Sequence, residues 1–247
     1  MLPMIRLWRP RLLFQGSRAS RFNVLDSHPA IIDRFFHSLV EPVMPANNLK
    51  VRPLVGGIKI VTRSKIGTLG LVVKYNGNMC FVTAGHVFGK GDARVGQPDD
   101  ANPVGDLLEN FLEDNQDIAI VKVSSGVDAT PNEIWTDSGI KQVAFGSDVR
   151  PTKDQRLWLQ GAFSGLVNCS VAGTDVDITV PDTNDQVKNV VLLNLDGEAR
   201  TQPGDSGAPV VGKVGGKDVC YGVYGGKVVV GADTYGWFTP FENLFWD

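Results

Sequence analysis

One stretch, residues 69–83, constrains the fold more than any other. Two apolar, β-branched runs, 69–75 and 79–83, flank Asn76-Gly77. Asn-Gly readily takes the paired positive φ angles of a tight two-residue turn, so the runs are expected to pair as an antiparallel hairpin. Residues 58–61 before the hairpin and 118–123 after it have the same strand character. Further on, 156–161, 168–172, 177–180, 190–195, 209–211 and 219–224 supply a second set of short strands. Between the two sets, residues 124–153 carry Ser, Gly, Pro and Thr at short intervals, the composition of a connection. The Gly- and Asp-rich segment 89–102 reads as a surface loop, and the aromatic tail 237–246 as a short terminal helix.

The first fifty residues differ from the rest. Arg6, Arg9, Arg11, Arg18 and Arg21 precede the first acid, Asp26, and arginines and Pro10 interrupt any secretory apolar core. In 29–43, Ile31, Ile32, Phe35, Phe36, Leu39 and Val40 recur at helical spacing, with Ser27 as N-cap and Pro42 and Pro45 as stops. The segment is a candidate pro-segment, or equally a helix that packs on the outside of the fold. Residues 45–53 form a linker.

Chemistry concentrates in Gln202-Pro203-Gly204-Asp205-Ser206-Gly207-Ala208. A serine hydroxyl becomes a useful nucleophile only with a base in hydrogen-bond reach, a group that orients the base, and donors for the developing oxyanion. Gly204 suits a tight turn that aims its own N–H and that of Ser206 at one point. The chain has three histidines, His28, His37 and His86, and only His86 lies in the β-rich body, at the end of a short apolar strand. The orienting acid is best sought at Asp117, where a β-branched run begins. Glu113 and Asp114 stand close by, but read as solvated loop charges.

Composition narrows the alternatives. A net charge of −3 gives no electrostatic footprint for nucleic acid, and no apolar run is long enough to span a bilayer. Three cysteines, Cys80, Cys169 and Cys220, are too few and odd in number for a disulfide framework. Pairing of Cys169 with Cys220 and three buried thiols are both open readings.

Val55-Gly56-Gly57, Gly67-Thr68-Leu69-Gly70, Thr83-Ala84-Gly85-His86, Asp117 and Pro203-Gly204-Asp205-Ser206-Gly207, in that order, resemble the chymotrypsin-like (trypsin-like) serine proteases, most nearly the bacterial streptogrisin and α-lytic type. The likeness runs from about Leu54 to Pro240. It implies an all-β protein of two antiparallel six-stranded barrels, about 54–125 and about 150–236, in a domain spanning 54–247. Residues 1–53 would be a basic leader and helical extension. It also implies a serine endopeptidase acting on polypeptide through an acyl-enzyme, monomeric, with no metal or organic cofactor and no nucleic-acid or membrane partner. The implied roles are catalysis for His86, Asp117 and Ser206, the oxyanion hole for the amides of Gly204 and Ser206, and strand pairing with substrate for Tyr224, Gly225 and Gly226. The turn 161–165 is expected near a specificity pocket lined from Arg200, Gln202, Ala162 and Gly225.

The chain departs from that pattern in places. Val87 stands where secreted relatives carry a bridging cysteine, and no cysteine lies beside the nucleophile. A freed amine at Leu54 would pair with Asp205 in the trypsin-like scheme, but Pro53 precedes it. The bacterial group uses an arginine where Leu159 stands, so the partner of Asp205 is open. Tyr224 replaces a serine that in relatives helps hold the catalytic carboxylate. Two other readings are a catalytically silent binding module on the same fold and an esterase using the same triad. Secretion is the family expectation, while the arginine-rich start leaves an intracellular or organellar site open.

Overall fold

The computed structural model describes residues 49–180, 183–196 and 201–244. After β1 (Leu54–Gly56), the chain lays down β2 (Lys59–Val61), β3 (Ile66–Thr68), β4 (Leu71–Tyr75), β5 (Asn78–Thr83), β6 (Arg94–Gly96), β7 (Pro103–Asn110) and β8 (Ala119–Val123). These last seven form one antiparallel sheet in the order β3-β2-β6-β7-β8-β5-β4. Its two end strands are consecutive in the chain and are halves of one bent path. At the bend, Leu69 N–H donates to Ile58 O at 2.9 Å and Gly70 N–H to Val82 O at 2.8 Å, which closes the sheet into a barrel. The hairpin is as expected: Asn76 and Gly77 have φ of 47° and 70°, and Tyr75 faces Asn78.

The second barrel comes from β11 (Ala144–Phe145), β12 (Arg156–Gly161), β13 (Gly165–Thr179), β14 (Gln186–Leu195), β15 (Pro209–Val214), β16 (Lys217–Val230) and β17 (Asp233–Pro240). Six of them form a closed antiparallel ring, β16-β15-β12-β13-β14-β17 and back to β16, while β11 pairs with β16 in parallel. Between the barrels, β9 (Ala129–Thr136) and β10 (Gly139–Gln142) join β1 in a small sheet.

Side chains alternate across a strand, so a strand buried on both faces shows a continuous apolar run. Strands β4, β5 and β8 do this. Val72, Phe81, Ala119 and Val121 point into the first barrel, while Leu71, Val73, Cys80, Val82 and Ile120 point out of it. That outward set meets Val211, Cys220 and Val223 of the second barrel, with Phe241 from beyond β17. Full burial of each such side chain contributes about 1.5–3 kcal/mol, so this contact is the main force holding the barrels together.

Several expectations about local structure are corrected. The 89–102 loop contains β6, 103–110 is strand β7, and the 124–153 connection carries β9, β10 and β11. The polar Gly173-Thr174-Asp175 stretch is a bulge inside the continuous strand β13. The tail is not a helix, because 233–240 pairs with both β14 and β16 to close the barrel, leaving a single 3-10 turn at Phe241–Asn243. The expected helix at 29–43 lies outside the described residues. All three cysteines are buried and unbridged, and burial raises their thiols, Cys169 and Cys220 to about 12. No helix among the described residues is long and apolar enough to cross a membrane.

Gly70 lies at the contact between barrels, where a Cβ would stand 2.6 Å from Val223 Cγ1 and 2.9 Å from Gly207 O. Gly70→Ala is expected to lower stability by about 1–3 kcal/mol through overpacking. At about 2–4 °C per kcal/mol, this is a fall of roughly 2–12 °C in melting temperature. An unchanged thermal transition by circular dichroism would contradict the assignment of Gly70 to a tight contact.

Candidate active site

His86 sits in a single 3-10 turn, Gly85–Val87, directly after β5. The turn is tied down by its neighbours: Asn110 Nδ2 donates to Gly85 O at 3.0 Å and Lys65 Nζ to His86 O at 2.9 Å. Asp117 precedes β8 and follows a 3-10 turn, Phe111–Asp114, that ends on Asn115 in the left-handed conformation. Glu113 and Asp114 are exposed on that turn, whereas Asp117 is fully buried. The Asp117 carboxylate accepts from His86 twice, from the backbone N–H at 2.8 Å and from Nδ1 at 2.8 Å. A proton on Nδ1 leaves Nε2 as an acceptor. Nε2 lies 2.9 Å from Ser206 Oγ.

Ser206 comes from the loop before β15 in the second barrel. Its hydroxyl lies within reach of two acceptors, His86 Nε2 and Gly225 O, the latter at 3.1 Å. Ahead of it, Pro203-Gly204 forms a turn closed by Asp205 N–H to Gln202 O at 3.1 Å, and Gly204 has the positive φ of 99° that a type II turn requires. Among the described residues the N–H groups of Gly204 and Ser206 donate to nothing. The two carbonyls of this segment are held from the first barrel. Thr68 Oγ1 donates to Gly204 O at 2.8 Å, and Thr68 N–H to Ser206 O at 2.8 Å. Nothing in the sequence singled Thr68 out for this.

Asp205, fully buried, has neither an amine nor an arginine among its partners in the described residues. It accepts from the backbone N–H groups of Phe163 (3.0 Å), Ser164 (3.2 Å) and Gln202 (2.7 Å), and from the Ser164 hydroxyl. Leu54 N–H is occupied elsewhere, donating to Asp128 O at 2.7 Å. The 161–165 turn therefore supports the Gly204 turn from behind. Phe163 lines a hollow of about 390 Å³ on that side of Ser206, together with Lys65, Ile66 and Gly204.

On the other side of Ser206 is a hollow of about 310 Å³ lined by Val180, Thr201, Tyr224, Gly226, Lys227 and Trp237, with Gln202 and Gly225 also bordering it. Ala162 is not part of this lining; its N–H donates to Thr68 Oγ1. Arg200 lies outside the described residues. The Tyr224 side chain packs in the core of the second barrel, its OH bonded to Thr201 Oγ1 at 2.8 Å. Strand β15 parts from β16 at Val223, so from Gly225 onward β16 presents one edge with no strand beside it among the described residues. No metal-binding cluster of His, Cys, Asp or Glu occurs among the described residues.

The same architecture is found in chymotrypsin of Cellulomonas bogoriensis, with a TM-score of 0.58 and 22% identity over 76% of this chain and 92% of that one. Protease A of Thermobifida fusca gives a TM-score of 0.61 and 18% identity over 76% and 92%. The Nocardiopsis protease gives a TM-score of 0.60 and 18% identity over 76% and 93%. No protein-family model and no curated protein matches the sequence. The chain has the chymotrypsin-like double-barrel fold.

Removing the hydroxyl in Ser164→Ala leaves the buried Asp205 carboxylate with its three amides. Loss of one such bond to a buried charged group is expected to cost about 1–3 kcal/mol in chemical denaturation. Asp205→Ala, which strands all three amides, is expected to cost more. Equal stability of Ser164→Ala and the unaltered chain would show that the hydroxyl does not hold the turn.

Proposed function

We propose that the chain is a serine endopeptidase that hydrolyses polypeptide through an acyl-enzyme. The observation that carries this reading is the His86 imidazole, with Asp117 at 2.8 Å on one nitrogen and Ser206 Oγ at 2.9 Å on the other. Ser206 Oγ attacks the scissile carbonyl as His86 Nε2 takes its proton. Asp117 holds Nδ1–H, which fixes the tautomer and stabilises the imidazolium that forms. The carbonyl oxygen, now an oxyanion, sits between the N–H groups of Gly204 and Ser206. As the tetrahedral species collapses, His86 passes the proton to the leaving amine, and the acyl group stays on Ser206. Water then repeats the cycle with His86 as base and releases the acid. The substrate backbone is positioned as an added strand on the open edge at Gly225 and Gly226, following Tyr224. No step calls on a metal or organic cofactor.

Reaction with a fluorophosphonate probe tests the nucleophile directly. The folded chain is expected to be labelled at Ser206, and Ser206→Ala is expected to lose both labelling and, by about 10⁴-fold or more, peptide hydrolysis. Absence of labelling in a folded sample would instead favour a binding module. Asp117→Asn presents an amide where Nδ1–H needs an acceptor, and kcat is expected to drop about 10⁴-fold. A peptide library separates endopeptidase from esterase: labelling without cleavage of any peptide would exclude the first.

A further inference from the structure

The hollow on the β16 side of Ser206 is rich in unspent hydrogen-bond donors. Lys227 lines it, and its Nζ donates to Thr201 O at 3.1 Å, so two of the three ammonium donors have no acceptor among the described residues. Tyr224 OH and Thr201 Oγ1 share one hydrogen bond of 2.8 Å, so among the described residues one of the two hydroxyl protons has no acceptor. Burial pushes the Tyr224 phenol well above its ordinary value, keeping it a donor. The indole N–H of Trp237, a residue only 1% exposed, has no acceptor among the described residues. It lies 3.7 Å from where a Cβ on Gly226 would stand, at the wall of the hollow.

A buried donor without an acceptor carries a desolvation cost that a ligand oxygen would relieve. No Asp or Glu among the described residues lines the hollow to supply one. The space is also bounded. The Trp237 ring lies so close to Gly225 that a Cβ there would stand 2.1 Å from it, leaving room beside the ring but not through it. Among the described residues, one cation, two hydroxyls and an indole N–H border this recess.

We propose that this hollow receives an acidic side chain, that of the residue contributing the scissile carbonyl, with its carboxylate on Lys227 and the neighbouring donors. The assignment of that residue rests on reading Ser206 as the nucleophile and the β16 edge as the acyl-side binding strand. A carboxylate satisfies several donors at once and pairs with the ammonium, whereas an apolar side chain would leave the buried indole N–H unanswered. The charge of Lys227 also draws acidic segments toward the cleft. Because Lys227 is exposed, the preference should weaken as salt rises.

The test compares two fluorogenic peptides that differ only by Glu or Gln before the scissile bond, a pair matched in shape. The unaltered chain is expected to favour Glu by about tenfold in kcat/KM, equivalent to about 1.4 kcal/mol. In Lys227→Gln the ratio should fall to within about twofold, and Lys227→Glu should favour a Lys peptide. A catalysis-independent measurement runs beside it: calorimetric binding of acetyl-Ala-Ala-Ala-Glu-amide and its Gln counterpart to the full-length Ser206→Ala chain. Tighter binding of the Glu peptide with no hydrolysis in the unaltered chain would sustain the acidic pocket while overturning the endopeptidase reading. Fluorophosphonate labelling together with equal cleavage of both peptides, or preference for an apolar residue, would overturn the pocket and leave the endopeptidase intact. Equal or undetectable binding of the two peptides to Ser206→Ala also overturns the pocket.

Discussion

The geometry of the candidate site depends on the grip of Thr68 on the loop that carries Ser206. Thr68 ends β3 of the first barrel, yet its N–H and hydroxyl are bonded to Ser206 O and Gly204 O of the second. Thr83 Oγ1, one strand away, donates to Thr68 O at 2.8 Å. The separation of His86 from Ser206 is thereby set through backbone atoms, not by two long side chains finding each other. Magnitudes divide the labour. A hydrogen bond of this type contributes about 0.5–1.5 kcal/mol net, too little to join two barrels. The apolar contact around Val82, Ile120, Val211 and Val223 supplies the adhesion, and Thr68 supplies the register within it.

The same division explains how the turn at Gly204 holds a shape that two uncommitted amides require. Asp205 is buried directly behind it, and a carboxylate there is tolerable only if its lone pairs are met. Three backbone amides and one hydroxyl meet them, all from segments that fold with the second barrel. Leu54, whose amine would be the natural candidate, is instead held in β1, where its N–H donates to Asp128 O. The turn's conformation is consequently a property of the folded barrel itself.

How much of this was legible beforehand follows from where each piece of information resides. His86 and Ser206 stood out because nucleophilic chemistry restricts residue type and the flanking small residues restrict the turn. Asp117 could be preferred over Glu113 and Asp114 because a buried strand begins right after it, and burial is what separates the three. Strands β4, β5 and β8, buried on both faces, announced themselves as continuous apolar runs. Strand β7 did not, since Asp106, Glu109 and Asn110 break its pattern and only Val104 and Gly105 are fully buried. Thr68 and Ser164 were out of reach for a different reason. Both act on partners more than thirty residues away, Thr68 on two backbone carbonyls and Ser164 on the Asp205 carboxylate, and neither pairing leaves a trace in side-chain spacing.

Tyr224 shows how a position can be legible while its direction is not. In the proteases that the sequence resembles, a serine at this place helps hold the catalytic carboxylate, so its replacement pointed to a weakened Asp117. Instead, both bonds to Asp117 come from one residue, through the His86 backbone N–H and Nδ1. Imidazole and carboxylate therefore orient each other, and the third support is dispensable to their alignment. The larger side chain packs in the core of the second barrel, where its hydroxyl meets Thr201 beside Lys227. The Tyr224 hydroxyl thus adds a donor to the hollow next to Ser206 and makes no bond to Asp117 among those described. Tyr224 and Lys227, both on β16, border that hollow together, so its donors are set by one short strand segment that also brings Gly225 O to 3.1 Å from Ser206 Oγ.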